Sequence, residues 1–416
     1  MIRNVFDVAL ECHLIASIIK RIKKRCTKIR KGIDKLISIP LIYIYSRCIR
    51  VEGNTILFIT TRGDYECNAK WICNEILRRN LPYEIYWTNR KSSLLTEFPD
   101  GIHLVCRKSI DFYRAVSKAK IIVDNSISLS YMWYPKKRKQ VLIETWHGSL
   151  GIKMFSRETN KDKGWCFHAD LESRKTDYCI SNSTFENSVF LDTFWKNATI
   201  LQLGHARNDI LCESGTERLT EIRKKVYAYF SLNDETRICL YAPTFRDDGD
   251  MRPYQLDFLR LRRALQTRFG GEWVIMTRFH FKLLNHLPNA FYFRDTINAS
   301  QYPDIQELLT CTDVGITDYS SWICDYLLTR RPGFLFATDM EEYEKKDREF
   351  FYPLDSMPFP LALNNEQLYE NILNFDEEVF GRKCEEFLSD KGCIDDGHAS
   401  ERIVDAIERI MKGETI

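Results

Sequence analysis

The stretch Asp313–Thr329 constrains this chain more than any other. Val314 and Ile316 form a short apolar strand, Thr317-Asp318-Tyr319-Ser320-Ser321 makes a polar turn, and Trp322, Ile323, Tyr326 and Leu327 follow at helical spacing. A strand that runs directly into a helix leaves the helix's first N–H groups pointed at the turn. Those donors, with the hydroxyls of Thr317, Ser320 and Ser321, suit an anion such as a phosphate. Ordinary capping by Asp318 or Ser320 accounts for the same residues equally well.

The same strand-then-helix unit recurs along the chain. Strands are expected at Thr55–Thr60, Tyr83–Trp87, Ile102–Cys106, Ala119–Val123, Gln140–Thr145, Tyr178–Ser181 and Ala198–Leu203, with helices at Asn68–Arg79, Ile110–Lys118 and Ser183–Phe194 between them. A second series follows: strands at Thr236–Ala242, Trp273–Thr277, Phe291–Phe293, the opening stretch and Gly333–Phe336, and helices at Glu217–Phe230, Gln255–Phe269 and Asp304–Cys311. Helices close the chain at Glu366–Asn374, Glu377–Leu388 and Ser400–Met411. Such alternation specifies an α/β protein with parallel sheets covered by helices. At 416 residues the chain suits two domains, 51–215 and 216–416, with the last helix free to pack back on the first.

Residues 1–50 differ from the rest. Lys20-Arg21-Ile22-Lys23-Lys24-Arg25, with Lys28, Arg30, Lys31 and Lys35, precedes the apolar and aromatic run Ile37–Tyr45, which is too short to span a bilayer. Basic residues beside such a run suit an anionic membrane surface, at about 1 kcal/mol per charge; a solvated helix packed on the body is the alternative. No nucleic-acid recognition motif accompanies the charges, and a net charge of +2 argues against a general polyanion binder. The 14 cysteines include no Cys-x-x-Cys pair, so zinc and disulfide frameworks are not indicated and reduced thiols are expected. The expected location is the cytoplasmic face of a membrane, held peripherally.

Ligands of open parallel sheets bind beyond the carboxyl ends of the strands. Polar clusters occupy five such ends: Thr145–Gly148, Gly204–Asp209, Pro243–Arg246, Thr277–His280 and Thr317–Ser321. His147 has a side chain suited to general-base work near neutral pH, or to plain packing beside Trp146. Arg278 and His280, two apart at a strand end, are expected to project to one side and to neutralise a phosphate, or to form a surface pair. There is no P-loop, no Gly-x-Gly-x-x-Gly turn and no His-Glu-x-x-His, and Asp247-Asp248 reads as an exposed acidic turn, so no motif requires a cofactor or metal.

Six motifs occur in one order: Thr145-Trp-His-Gly148 with Lys153, Gly204-x-x-Arg-Asn-Asp209, Tyr241-Ala-Pro-Thr-Phe-Arg246, Arg278-x-His280, Ile316-Thr-Asp-Tyr-Ser-Ser321 and Asp339-x-Glu-Glu-Tyr343. This set, over about residues 140–410, resembles the CDP-glycerol glycerophosphotransferases, the teichoic-acid primases and polymerases, and related capsule-polymer transferases. The resemblance implies a GT-B-like fold of two Rossmann-type domains facing across a cleft. It implies transfer of glycerol phosphate or ribitol phosphate from CDP-glycerol or CDP-ribitol to a hydroxyl of a polymer or lipid-linked acceptor, with release of CMP. It makes His147 the base, Arg278 and His280 the donor-phosphate contacts, and His280 the group that protonates or stabilises the leaving CMP. Thr317, Ser320 and Ser321 would hold the pyrophosphate, with Asp318 capping the turn. Lys153, Thr244, Arg246, Arg207 and Asn208 would line the cleft, and Glu342 would lie on the nucleotide side.

The chain departs from the family pattern at two places. Ser149-Leu-Gly-Ile-Lys153 stands where relatives commonly have Thr-Pro-Leu-Lys-Lys after His-Gly, and Phe281 where they have proline. A GT-B glycosyltransferase acting on a nucleotide sugar shares the fold and the phosphate seat, and a membrane-tethered assembly factor without activity is a third reading.

Overall fold

A computed structural model describes residues 38–90, 97–154, 163–193, 195–246, 250–280, 295–414 and 416. The basic run from Lys20 to Lys35, the acidic turn at 247–248, Phe281 and the strand expected at 291–293 lie outside the described residues.

Two all-parallel sheets organise the chain. The first has seven strands: β1 (Thr55–Ile59), β2 (Glu84–Asn89), β3 (Ile102–Cys106), β4 (Ile121–Asp124), β5 (Val141–Glu144), β6 (Tyr178–Ser181) and β7 (Thr199–Gln202), in the order β3-β2-β1-β4-β5-β6-β7. The second has six: β8 (Arg237–Tyr241), β9 (Trp273–Thr277), β10 (Ile297–Asn298), β11 (Val314–Thr317), β12 (Gly333–Phe336) and β13 (Leu361–Ala362), in the order β10-β9-β8-β11-β12-β13. The central strands β1, β4, β11 and β12 are buried along their whole length. That is why they read as continuous apolar runs rather than alternating ones. In each sheet the winding direction reverses between the first strand and its later neighbour, at β1/β4 and at β8/β11, and such reversals open a crevice at the carboxyl ends.

The packing of helices on β11 is close. An ideal Cβ on Gly315 would lie 2.9 Å from the Tyr326 ring, so the residue that lets the following helix fold back is a glycine. Gly204, at φ +91°, is held as tightly: a Cβ there would meet Ala399 at 2.8 Å and Asp395 Oδ1 at 2.9 Å.

The last helix, Ala399–Lys412, lies against helix Cys67–Arg78 of the first domain. Asp209 caps it by accepting from Ala399 N at 2.8 Å and Ser400 N at 2.7 Å. Arg79 binds its outer face through Asp405 at 2.5 Å and Glu408 at 3.2 Å.

Several elements differ from the sequence expectation. Helix Lys163–Ser173 was not anticipated, because its buried positions include His168, Glu172 and Ser173 rather than an apolar stripe. The pairs β10 and β13 are two-residue edge strands. Residues 38–45 of that apolar run lie in a helix over 38–48, whose Ile42 belongs to the core cluster of Leu57, Phe112 and Val116 while Tyr43 and Ile44 face solvent. Among the described residues no helix is long and apolar enough to cross a membrane.

Candidate active site

His147 follows β5 on a strained turn. Trp146 has φ +51°, a left-handed conformation that costs a residue with a Cβ about 1–2 kcal/mol. The turn is held from both sides: Trp146 N donates to Glu144 Oε1 at 2.9 Å, and Asn68 Nδ2 donates to Thr145 O at 3.0 Å and Trp146 O at 3.4 Å. His147 Nδ1 lies 2.7 Å from Asn125 O, and its ring lies tilted at 35° against Trp146 with centroids 4.3 Å apart. A carbonyl only accepts, so Nδ1 carries the proton and Nε2 keeps its lone pair. The ring is open to solvent yet surrounded by protein mass. Desolvation, with a smaller push from Arg207, holds its pKa below the ordinary imidazole value and keeps it neutral.

The turn carrying Asn125 is shaped by Asp124, whose carboxylate accepts from Ser126 N at 3.0 Å, Ser128 N at 2.9 Å and Ser128 Oγ at 3.0 Å. Asp124, Glu144 and Glu172 are all sealed from solvent, and burial pushes each carboxyl above its usual range.

The second domain presents Thr244, Asp318, Ser320 and Ser321 at its β8/β11 reversal. Asp318 Oδ1 accepts from Thr244 N at 2.8 Å and also from Tyr319 N, and Oδ2 pairs with Arg246 Nη1 at 2.9 Å. Asp318 therefore orients the turn. Ser320 and Ser321 are half-buried, and their hydroxyls have no protein partner among the described residues. The helix after them is shorter than expected, five residues, and Ile323 N and Cys324 N turn back to Ser320 O and Ser321 O at 3.4 and 3.0 Å. Hydroxyls rather than a long helix dipole are what this turn offers an anion.

Four expected contacts have other tasks. Thr317 is fully buried and donates to Ala242 O at 2.8 Å, so its hydroxyl ties β11 to β8. Arg246 forms a two-point pair with Asp339 (Nε–Oδ2 2.7 Å, Nη2–Oδ1 2.8 Å) and lies over the Tyr319 and Tyr343 rings, which leaves it no free edge for a ligand. Arg207 is nearly sealed and pairs with Asp325, while Asn208 donates to Asp325 at 3.2 Å and Asp395 at 2.8 Å. These two join the domains and do not line the cleft. Thr244 Oγ1 is buried without a partner. Glu342 is part-exposed, pairs with Lys346 and lies 3.9 Å from Arg252, outside the Arg246–Asp339 pair.

Arg278 and His280 also part company. Arg278 Nη1 donates to Ala299 O at 2.9 Å and Tyr302 O at 2.6 Å, leaving Nε and Nη2 unengaged among the described residues. Burial, reinforced by Arg62 from the first domain, lowers its pKa to about 10. His280 is exposed beside the Phe245 ring, with centroids 5.6 Å apart. Lys153 enters from the first domain: it bridges to Phe350, with Met154 N on Glu349 O and Phe351 N on Ile152 O, both at 2.9 Å. Burial brings its pKa down to about 8, against attraction from Asp318, and its ammonium has no ion-pair partner among the described residues.

The residues that sequence reasoning missed are Asn68, Asn125, Glu144, Asp325 and Arg62. Each serves another residue rather than standing in a motif; Asn125, directly after β4, and Arg62, in the turn after β1, carried a positional signal. Among the described residues no group of three or more His, Cys, Asp or Glu is arranged to hold a metal ion. The first domain offers a neutral imidazole and the Lys153 ammonium; the second offers the spare donors of Arg278 and the hydroxyls of Ser320 and Ser321.

The model of the CDP-Glycerol:Poly(glycerophosphate) glycerophosphotransferase family matches residues 41–409. The teichoic acid poly(glycerol phosphate) polymerase of Staphylococcus epidermidis is 29% identical over 378 residues, 87% of this chain and 51% of that protein. The Bacillus subtilis polymerase is 27% identical over 408 residues, 93% and 53% of the two chains. The Staphylococcus aureus teichoic acid glycerol-phosphate transferase is 25% identical over 397 residues, 91% and 99%. The chain thus spans about half the length of the first two and nearly all of the third. The wall teichoic acid polymerase TagF superposes with a TM-score of 0.79 at 26% identity, over 94% of this chain and 98% of that one. A histidine variant of TagF soaked with CDPG gives 0.78 at 26%, over 93% and 98%. The two facing parallel sheets are therefore a GT-B-like fold, and the chain belongs to the CDP-glycerol:poly(glycerophosphate) glycerophosphotransferase family.

Proposed function

We propose that this protein transfers an alditol phosphate, glycerol phosphate or its ribitol counterpart, from a CDP-alditol to a hydroxyl of a teichoic-acid-like or capsular polymer or its lipid-linked primer. The observation that carries the reading is the His147–Asn125 contact, which fixes the tautomer with Nε2 as acceptor on a ring open to solvent. In this reading Nε2 takes the acceptor's proton as the acceptor oxygen bonds to the alditol phosphorus. The bond from phosphorus to the bridging oxygen breaks, and CMP leaves with that oxygen. Phosphoryl transfer asks the protein mainly for positioning and charge stabilisation. The free edge of Arg278, the ammonium of Lys153 and the hydroxyls of Ser320 and Ser321 supply it, with His280 beside the leaving group. The first domain serves the acceptor, and the second serves the donor with Lys153 of the first domain beside it.

The reading places the protein on the cytoplasmic surface of a membrane, held peripherally through residues 1–50. The exposed Tyr43 and Ile44 on the 38–48 helix support it, as apolar side chains suited to the lipid interface.

The test is incubation with CDP-glycerol, CDP-ribitol and sugar nucleotides, each with an acceptor, and mass analysis of the products. CMP with an acceptor extended by one alditol phosphate is expected, and His147→Ala should abolish it. Release of a nucleoside diphosphate would replace this reading with glycosyl transfer. Turnover that survives His147→Ala would remove the assigned base.

A further inference from the structure

Asn68 stands in the first turn of helix Cys67–Arg78, far in sequence from every motif described above, and is 1% exposed. Its amide nitrogen is shared by the carbonyls of Thr145 and Trp146, at 3.0 and 3.4 Å, the two residues that precede His147. Its amide oxygen accepts from Arg207 N at 3.1 Å. Arg207 in turn holds Asp325 of the second domain, and Gln306 Nε2 reaches the same carboxylate at 3.1 Å. One side chain therefore ties the turn carrying the imidazole to the residue that joins the domains.

The turn needs such a tie. Trp146 occupies left-handed backbone space, which persists only where the surroundings over-determine it. Its N–H is fixed by Glu144, and its carbonyl accepts from Asn68 Nδ2 at 3.4 Å and from Thr145 Oγ1 at 3.3 Å. Without Asn68 the Trp146 carbonyl keeps only the Thr145 hydroxyl, which also reaches Asp124 O at 3.3 Å, and the Thr145 carbonyl loses its donor; the turn is then less restrained and can swing His147 away from Asn125 O. A displacement of about 1 Å at a reacting group is enough to cost about 100-fold in rate.

We propose that Asn68 is a positioning residue for His147: by holding the Thr145 and Trp146 carbonyls it keeps the imidazole in the orientation that accepts the proton of the acceptor hydroxyl. The proposal rests on His147 acting as the base. Donor binding, assigned to Lys153, Arg278 and the Ser320–Ser321 turn, does not pass through Asn68.

The experiment uses the full chain with Asn68→Asp and Asn68→Ala, with His147→Ala alongside, and CMP release from CDP-glycerol as the assay. Asn68→Asp keeps the acceptor for Arg207 N and the side-chain size, but sets an oxygen against two carbonyl oxygens. The expected result is a fall in kcat of about 10- to 100-fold with KM for CDP-glycerol within about twofold of the parent. The acid limb of the kcat/KM profile should move up toward the ordinary imidazole value as the loosened ring gains solvent. A purely structural role would lower activity only in proportion to the folded fraction and leave the limb in place, and that result overturns the proposal. So does failure of Asn68→Ala to fold, since it removes the bonds without adding a charge. If His147→Ala retains turnover, the functional reading falls. If His147→Ala is inactive while Asn68→Asp behaves as the parent, only the role of Asn68 falls.

Discussion

Arg207 of the first domain and Asp325 of the second form a two-point ion pair, Nε to Oδ2 at 3.1 Å and Nη2 to Oδ1 at 3.2 Å, both nearly sealed from water. A second bridge runs beside it, from Lys70 to Asp304 at 2.6 Å and to Glu307 at 2.7 Å. Removing one member of a buried pair leaves the other charged and uncompensated. Arg207→Ala is therefore expected to lower unfolding stability by about 3–5 kcal/mol, read from the urea midpoint. Adding Asp325→Ala should cost less than the sum of the two single changes. A ligand-binding arginine would instead raise the donor KM and leave the midpoint where it was.

The pH dependence of kcat/KM should be bounded by two groups of the free enzyme. His147 must be neutral to accept a proton, and its lowered pKa puts the acid limb below the ordinary imidazole value of about 6.5. Lys153 must be charged to hold a phosphate, so the alkaline limb should fall near its pKa of about 8. Lys153→Arg, charged throughout the range, should remove the alkaline limb while leaving the acid one. An unchanged alkaline limb would assign it to another group.

The buried acids give a stability prediction with a definite sign. Burial raises Glu144, Asp124 and Glu172, so the folded chain keeps protons that the unfolded chain loses above about pH 4. Their contribution is full below that pH and is lost as pH rises through the raised folded values. The melting temperature should fall by several degrees between about pH 5 and about pH 8. Glu144→Gln keeps Oε1 for Trp146 N–H and neutralises the partnerless Oε2, so its melting temperature should depend less on pH. Equal slopes for parent and variant would rule out Glu144 as a contributor.

Gly315→Ala should destabilise the second domain by about 1–3 kcal/mol, because the added carbon would meet the Tyr326 ring at 2.9 Å. The check is the denaturation midpoint together with retained activity at low temperature, since Gly315 touches no candidate catalytic group.

The central strands were legible because their apolar side chains are consecutive and β-rich, as strands buried on both faces require, whereas the two-residue edge strands β10 and β13 are too short to show a pattern. The candidate base was legible because His147 stands directly after a strand. What His147 depends on was not. Asn125 acts through its carbonyl and Asn68 through two others, and a carbonyl belongs to every residue type. Arg207 and Arg246 show the converse limit. An arginine at a strand end reads the same whether it meets a phosphate or a carboxylate, and the carboxylates they meet lie 118 and 93 residues along the chain. Thr317 was assigned to a ligand for the same reason, while its hydroxyl serves a neighbouring strand.

The path of the chain between the two domains sets how they can move. The backbone leaves the first domain through Cys212–Glu217 and comes back near Gly392, where Thr184 N and Ile394 N bond across at 3.3 and 2.8 Å. The two passages lie side by side, for an ideal Cβ on Gly397 would sit 3.4 Å from Cys212 Cβ. One covalent strand lets two bodies swivel in any direction, whereas two adjacent strands leave one easy axis, through both passages. A rotation about it moves residues in proportion to their distance from that axis. Any opening of the halves must part the 152–154/349–351 backbone pairing, which carries Lys153, together with the buried Arg207–Asp325 and Lys70–Asp304 pairs.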